Sequence, residues 1–175
     1  MAVFACTDRL RARRACLAAT GSVAAQERTV MVTLKDLKGA SVGMAMLSPT
    51  PAGGVSIALD VKNLPPGVHA FHVHQVAKCE PPFLTAGPHF NPEGKKHGLE
   101  NPAGPHAGDM PNFTVGADGT AKVTIVDPRV TLGAGPNSLF ANGGTSLVIH
   151  AKADDMTTDP AGNAGERIAC GVVTR

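Results

Sequence analysis

From Thr29 onward, apolar residues recur at every second position in short runs, and no segment carries a helical period. This alternation is typical of strands that bury one face. Proline and glycine, with 14 and 20 residues in the chain, interrupt the runs with turn geometry. The runs predict eight strands, at 29–37, 40–47, 55–62, 68–75, 113–115, 121–126, 146–152 and 166–174. Eight short strands without intervening helices predict an all-β fold, an antiparallel sandwich or barrel with two long loops at 76–112 and 127–145.

Two finer expectations follow from the same patterns. In the second run, Val42, Met44 and Met46 alternate, which predicts that both methionines pack in the core. A soft copper site on the two thioethers is the alternative. Asp118-Gly119 tolerates the positive φ of a tight turn, so it predicts a hairpin between 113–115 and 121–126.

Length and charge exclude several classes of protein. The 175 residues suit one principal domain. Residues 1–28 hold five of the 16 Lys and Arg residues against two of the 14 acids, so residues 29–175 carry 11 basic and 12 acidic groups. This balance argues against a nucleic-acid binder, which needs a basic surface. No apolar run approaches the roughly 18 residues that span a bilayer.

Residues 1–28 differ from the remainder and are interpreted as an N-terminal extension, which leaves 29–175 as the folded domain. Four arginines, at positions 9, 11, 13 and 14, precede a stretch of small residues that loosely imitates an export signal. A degenerate or truncated signal and a disordered tail both remain open. Cys6 and Cys16 lie here without a defined partner. Later in the chain, Cys79 and Cys170 are either a disulfide or two buried thiols.

Histidines are strongly clustered. Six of the seven lie within the 38 residues from His69 to His106. In Phe71-His72-Val73-His74, two imidazoles stand two residues apart on a strand, so both project from the same face and can converge on one ion. The candidates for further ligands are His89, His97, His106 with Asp109, and His150.

Donor chemistry sorts these residues into two sites. Four imidazoles around an open tetragonal position favour cupric ion, and three imidazoles with one carboxylate oxygen satisfy tetrahedral zinc. The residues suffice for both ions if one histidine is shared, because a deprotonated imidazole holds a metal on each ring nitrogen.

Six motifs, in order along the chain, resemble those of the bacterial copper/zinc superoxide dismutases. They are Phe71-His72-Val73-His74, the segment 86–92 around His89, Lys96-His97-Gly98, His106-Ala107-Gly108-Asp109, the segment 148–155 around His150, and the segment 162–172 that contains Arg167. The resemblance covers about 29–173. It implies a Greek-key sandwich of immunoglobulin-like architecture, in agreement with the strand pattern.

The resemblance also implies the residues of the site. The copper ligands would be His72, His74, His89 and His150, and the zinc ligands would be His89, His97, His106 and Asp109. Asp154 would link the rings of His72 and His97, and His69 would be a structural histidine that binds no metal. Arg167 would hold the anionic substrate, and His89 would bridge the metals and deliver a proton. Cys79 and Cys170 would form a disulfide.

The implied activity is disproportionation of two superoxide anions to oxygen and hydrogen peroxide, with one copper ion and one zinc ion per chain. The alternative is a non-catalytic copper- or zinc-binding protein on the same fold. A disulfide requires an oxidising compartment, which favours a periplasmic, cell-envelope or extracellular location over the cytoplasm. The family also implies a homodimer, while the charge balance and the short apolar runs predict no nucleic-acid partner and no membrane span.

Overall fold

A computed structural model describes residues 29–175. Within them are nine strands: β1 (Val30–Asp36), β2 (Ser41–Pro49), β3 (Val55–Val61), β4 (Gly67–His69), β5 (Phe71–His74), β6 (Phe113–Val115), β7 (Ala121–Asp127), β8 (Thr145–His150) and β9 (Arg167–Val173). Two short 3₁₀ turns lie at Leu84–Ala86 and Ala141–Gly143. None of the helical segments in 29–175 has the length and hydropathy to cross a bilayer. The extension at 1–28, including Cys6 and Cys16, lies outside the described residues.

Seven of these strands form one antiparallel sheet in the order β5-β8-β9-β1-β2-β3-β7, and β4 pairs with β6 in a second small sheet. The architecture is that of an all-β Greek-key sandwich, as predicted. The count exceeds the predicted eight because the expected strand at 68–75 divides into β4 and β5 at Ala70. Between β5 and β6, and between β8 and β9, lie the segments that build the functional site.

One continuous core fills the space that the curled sheet encloses. In β3 the predicted alternation is exact in burial, because Val55, Ile57, Leu59 and Val61 are all buried. Their inward side chains meet those of the strands across the core, such as Leu147 of β8. Burial of this apolar surface supplies the main driving force for the fold.

The prediction for Met44 and Met46 was wrong, because both side chains are exposed. In β2 the register shifts, so that Gly43 lies opposite Leu34 while Ser41 lies opposite Lys35, and Val42 is the extra residue of a β-bulge. A bulge reverses the inward and outward positions that follow it. Ala45 and Leu47 therefore enter the core. Gly43 tolerates the φ of 136° at the bulge, where a Cβ would collide with the backbone of Asp60.

The predicted hairpin between the strands at 113–115 and 121–126 was also wrong. The Asp118-Gly119 turn is present, with Gly119 at φ 75°. However, β6 pairs with β4 while β7 pairs with β3. The turn therefore carries the chain from one sheet to the other rather than closing a two-stranded ladder.

Candidate metal centre

Two neighbouring strands place three imidazoles of the first group at one edge of the sheet. His72 and His74 project from the same face of β5, and β5 pairs with β8, which ends at His150. His89 joins them from the long segment after β5, where it forms an isolated bridge with His74. One nitrogen from each of these four rings lies within 4.8 Å of the others, and all four residues are buried.

Backbone carbonyls set the orientation of two of these rings. His74 Nδ1 lies 2.8 Å from the carbonyl of Gly87, and His150 Nδ1 lies 3.3 Å from that of Gly165. A carbonyl accepts only from N–H, so each neutral ring carries its proton on Nδ1. Both Nε2 atoms then present lone pairs, and they face each other at 3.4 Å. Two lone pairs that face each other repel, and a cation bound between them would remove this repulsion.

Asp154 orients His72 in the same way. His72 Nε2 donates to Asp154 Oδ2 at 2.7 Å, which leaves Nδ1 with a lone pair. Among the described residues, neither His72 Nδ1 nor His89 Nε2 has a hydrogen-bond partner, and both atoms are buried. Both residues belong to the same four-histidine group as His74 and His150. Four nitrogen lone pairs thus converge, and this donor set fits copper.

The second group surrounds a single oxygen of Asp109. Oδ1 lies 2.9 Å from Nδ1 of His89, 3.0 Å from Nδ1 of His97 and 3.3 Å from Nδ1 of His106. Its other oxygen accepts from the backbone N–H groups of Gly98 and His106, each at 2.9 Å. These two hydrogen bonds lock the carboxylate, so that Oδ1 faces the three rings.

His97 shows that this second group attracts positive charge. Its Nε2 lies 2.9 Å from Asp154 and its Nδ1 lies 3.0 Å from Asp109, so either a ring proton or a metal cation must offset the two carboxylates. Within residues 29–175, His106 Nδ1 is buried and forms no hydrogen bond, although Asp109 Oδ1 lies 3.3 Å away. Three imidazole nitrogens and one carboxylate oxygen within 4.8 Å of one another are a donor set that fits tetrahedral zinc.

The pKa values of the two groups differ for physical reasons. Burial, together with the charge of neighbouring histidines, lowers the pKa of His150 to about 3 and that of His74 well below its usual range. Burial also lowers the pKa of His89 to about 4, against the hydrogen bond to Asp109. In the second group, Asp109 and Asp154 overcome burial and raise the pKa of His97 to about 9. The first group therefore presents neutral rings, whereas the second attracts positive charge.

A guanidinium lies beside the first group. Arg167 begins β9 opposite His150, and its two terminal nitrogens donate to the carbonyls of Phe83 at 2.7 Å and Gly87 at 2.8 Å. Arg167, His89 and His150 line one cavity of about 550 Å³. Burial lowers the pKa of Arg167, but a guanidinium still remains protonated at neutral pH. The cavity therefore presents a fixed positive charge next to the histidines.

The structure also locates the remaining residues singled out in the sequence. His69 is buried and lies outside both groups, with its ring nitrogens 2.8 Å from the carbonyls of His150 and Pro65. This contact to His150 fits a structural role. Cys79 and Cys170 form a disulfide. The bridge ties the segment that supplies Phe83 and Gly87 to strand β9.

Two supporting residues were missed in the sequence. Asn112 pairs with the backbone of Asp154 through both ends of its amide, at 2.9 Å each. Arg129 donates to the carbonyl of Asp109 and pairs with the buried Asp127 at 3.0 Å. Neither residue belongs to a recognisable motif, and both act across a large sequence separation. A clue was present only for Arg129, in the Asp-Pro-Arg sequence that follows a strand.

At position 162 the backbone lies so close to neighbouring side chains that only glycine fits. Gly162 has φ 62°, and a Cβ there would collide with the carboxylate of Asp154 and the ring of His97. The backbone thus packs directly onto the link between the two histidine groups.

Comparisons with known proteins decide the family. The family model described as copper/zinc superoxide dismutase matches residues 41–173. The chain belongs to this family. A protein of Aquifex aeolicus named superoxide dismutase (Cu-Zn) 1 is 53% identical over 152 residues, which cover 85% of this chain and 89% of that protein. The superoxide dismutase-like protein YojM of Bacillus subtilis is 39% identical, with 81% of this chain and 74% of that protein covered.

Solved structures of the family agree with the fold. The copper/zinc superoxide dismutase of Brucella abortus superposes with a TM-score of 0.69 at 30% identity, covering 83% of this chain and 99% of that one. A superoxide dismutase-like protein from Bacillus subtilis superposes with a TM-score of 0.79 at 38% identity, covering 81% and 96%. Copper and zinc are the cofactors of the family, and the two histidine groups are able to hold metal ions.

Proposed function

We propose that residues 29–175 form a superoxide dismutase domain with a copper site and a zinc site joined by His89. The proposed copper ligands are His72, His74, His89 and His150. The proposed zinc ligands are His89, His97, His106 and Asp109. The observation that carries this assignment is the convergence of ring nitrogens, above all the Nε2 atoms of His74 and His150, which lie 3.4 Å apart.

The chain disproportionates two superoxide anions to oxygen and hydrogen peroxide, as a member of its family. When bound, copper supplies the one-electron chemistry, and zinc supplies a fixed charge without redox chemistry. The protein must bring in a small anion, orient the ligands and provide protons, since peroxide formation consumes two of them.

Arg167 is proposed to bind the anion. Its guanidinium lies on the wall of the cavity that also exposes His89 and His150. The carbonyls of Phe83 and Gly87 hold two of its nitrogens, so the charge stays fixed toward the cavity. A positive charge within low-dielectric walls concentrates small anions at the site.

His89 is proposed to hold and deliver one of the protons. Its Nδ1 faces Asp109 in the zinc group, so the ring keeps its position whatever occupies Nε2. Nε2 is buried and has no hydrogen-bond partner in the part of the chain that the structure describes. This nitrogen is therefore the atom at which the ring takes up a proton next to the bound anion.

Asp154 is proposed to couple the two groups without binding metal. Although burial opposes it, hydrogen bonds from His72 and His97 hold the pKa of Asp154 well below its usual range. The carboxylate therefore stays ionised and accepts from both rings, which fixes the nitrogen that each ring turns to a metal.

The decisive experiment compares wild type with His150→Ala, each purified as the full chain. Copper and zinc per chain are measured, together with the rate of superoxide consumption. We expect wild type to bind both metals and consume superoxide, and His150→Ala to keep zinc but lose activity to background. Equal rates in the two proteins would defeat the copper assignment and support a non-catalytic metal-binding protein on this fold.

We further propose that the protein works outside the cytoplasm, in the periplasm, the cell envelope or the extracellular medium, and that it forms a homodimer. The Cys79–Cys170 disulfide is consistent with an oxidising compartment. Fractionation of the native host followed by immunoblotting tests the location, and recovery with cytosolic markers alone would contradict it. Sedimentation equilibrium of the purified chain tests the dimer, and a single species at monomer mass would contradict it.

A further inference from the structure

The outer face of β1 and β2 carries three exposed methionine side chains. Met31, Met44 and Met46 are exposed to 65%, 44% and 44%. The chain contains six methionines, so half of them gather on this one face. Met110, by contrast, is fully buried in the core, where a flexible apolar side chain is commonly found.

Strand register brings the three thioethers together. Met31 of β1 lies directly opposite Met46 of β2, and Met44 stands two residues before Met46 on the same face. Directly opposite side chains have Cβ atoms roughly 5 Å apart, and diagonal ones roughly 7 to 8 Å apart. A methionine side chain turns about three bonds, so the three sulfur atoms can reach a common point above the sheet.

The next strands shape a shallow depression beside these residues. Ala58 of β3 lies opposite Met46, and its small side chain leaves space for a depression of about 410 Å³ lined by the three methionines. Asp60 lies opposite Met44 and pairs with Lys122 at 2.9 Å. Among residues 29–175, the charged side chains that line the depression are Asp60 and Lys122, and their pairing leaves none of these carboxylates free for a hard divalent cation.

Thioether sulfur is a soft ligand that selects cuprous ion among the common biological metals. It also remains unprotonated at every physiological pH, unlike the nitrogens of histidine. We propose that Met31, Met44 and Met46 form a second copper site, selective for Cu(I), on the outer face of β1 and β2. This site is separate from the histidine centre, because β9 lies between β8 and β1 in the sheet and the three methionines are exposed, whereas the histidines are buried.

The test uses the full chain loaded with copper and zinc. The bound copper is reduced to Cu(I), the disulfide is kept, and oxygen is excluded. Cu(I) is added as its acetonitrile complex in competition with a chromogenic Cu(I) chelator. We expect wild type to bind one additional Cu(I) per chain, with sulfur ligands in its X-ray absorption spectrum. The triple variant Met31→Leu/Met44→Leu/Met46→Leu keeps the apolar volume but removes the sulfur, and we expect it to lose this additional ion.

Thr124→Leu is the matched control. Thr124 lies opposite Ala58 and lines the same depression, so the change adds an apolar side chain and removes no sulfur. We expect it to bind the additional Cu(I) as wild type does. Thermal unfolding of all three proteins checks that the exposed substitutions leave the fold intact.

Two results would overturn the proposal. In one, the triple leucine variant binds the additional Cu(I) as tightly as wild type. In the other, the variant binds the additional Cu(I) more weakly and its sedimentation coefficient also changes. That result would mean that the substitutions disrupt a protein contact on this face. Superoxide consumption by the triple variant is expected to equal that of wild type, so failure of this site is distinguishable from failure of the histidine centre.

Discussion

The two groups of metal-binding residues are assembled by different means. The strand-borne half of the metal centre consists of His72, His74 and His150, which lie on β5 and β8. Backbone carbonyls orient two of these rings. In the loop-borne half, His97, His106 and Asp109 belong to the segment between β5 and β6. There a carboxylate, itself held by two backbone N–H groups, gathers the rings.

Strand register orders the histidines of one half, whereas electrostatic attraction orders those of the other. Sheet hydrogen bonds fix the strand-borne half whatever ion is bound, because each ring inherits its place from its strand. The loop-borne half depends on attraction between Asp109 and positive charge, as the pKa of about 9 for His97 indicates. We therefore expect zinc to organise its own half, and copper to enter a half that is already formed.

The largest expected effect comes from removing the disulfide that braces the strand-borne half. It joins residues 91 positions apart, and loss of its chain-entropy effect in Cys79→Ser/Cys170→Ser should lower the free energy of unfolding by about 4 to 5 kcal/mol. Urea unfolding of metal-loaded protein measures this change. Cys6→Ser/Cys16→Ser, with the disulfide kept, is the control, and an equal loss there would mean that the bridge contributes nothing.

Arg129→Leu tests the support of the loop-borne half. The change leaves the Asp127 carboxylate buried without its charged partner and frees the carbonyl of Asp109. We expect a loss of about 3 kcal/mol in urea unfolding of metal-free protein, as for other broken buried pairs. Lys122→Ala removes one side of the exposed pair with Asp60 and should change little. An equal change in the free energy of unfolding of the two variants would show that Arg129 does not stabilise the loop-borne half.

Asp154→Asn affects the link between the halves. Asp154 accepts from both His72 and His97, and an amide cannot accept from both rings through two oxygens. We expect the affinity for both metals to fall by roughly 10- to 100-fold, measured by chelator competition. Asp155→Asn, which changes an exposed neighbour bonded to Thr157 and Thr158, is the control. An effect on one metal only would mean that the halves are independent.

The smallest expected effect is that of Arg167→Ala. Metal content should stay at the wild-type level, because Arg167 binds two carbonyls and no ligand side chain. The rate constant for superoxide at low salt should fall roughly tenfold, and its dependence on ionic strength should weaken. Pulse radiolysis at several salt concentrations measures both quantities. If copper is lost instead, Arg167 belongs to the scaffold of the strand-borne half.

Much of the architecture could be predicted because it depends on local patterns. The alternation in β3 predicted its buried face, and the two-residue spacing of His72 and His74 predicted that they share a face. The residue groups that the motifs implied are also the groups that the structure brings together. Each of these features follows from residues that are neighbours in the chain.

The remaining features depend on which segments meet in space. A one-residue bulge at Val42, visible only in the pairing of β1 with β2, turned Met44 and Met46 outward. The partner of β6 is β4 rather than its neighbour in the chain, and Arg129 and Asn112 act on residues far from them in sequence. A sequence determines the period of its side chains and their chemistry. Register, strand partners and the rings that share one cation are decided by long-range packing, because their free energy exists only when distant segments are in contact.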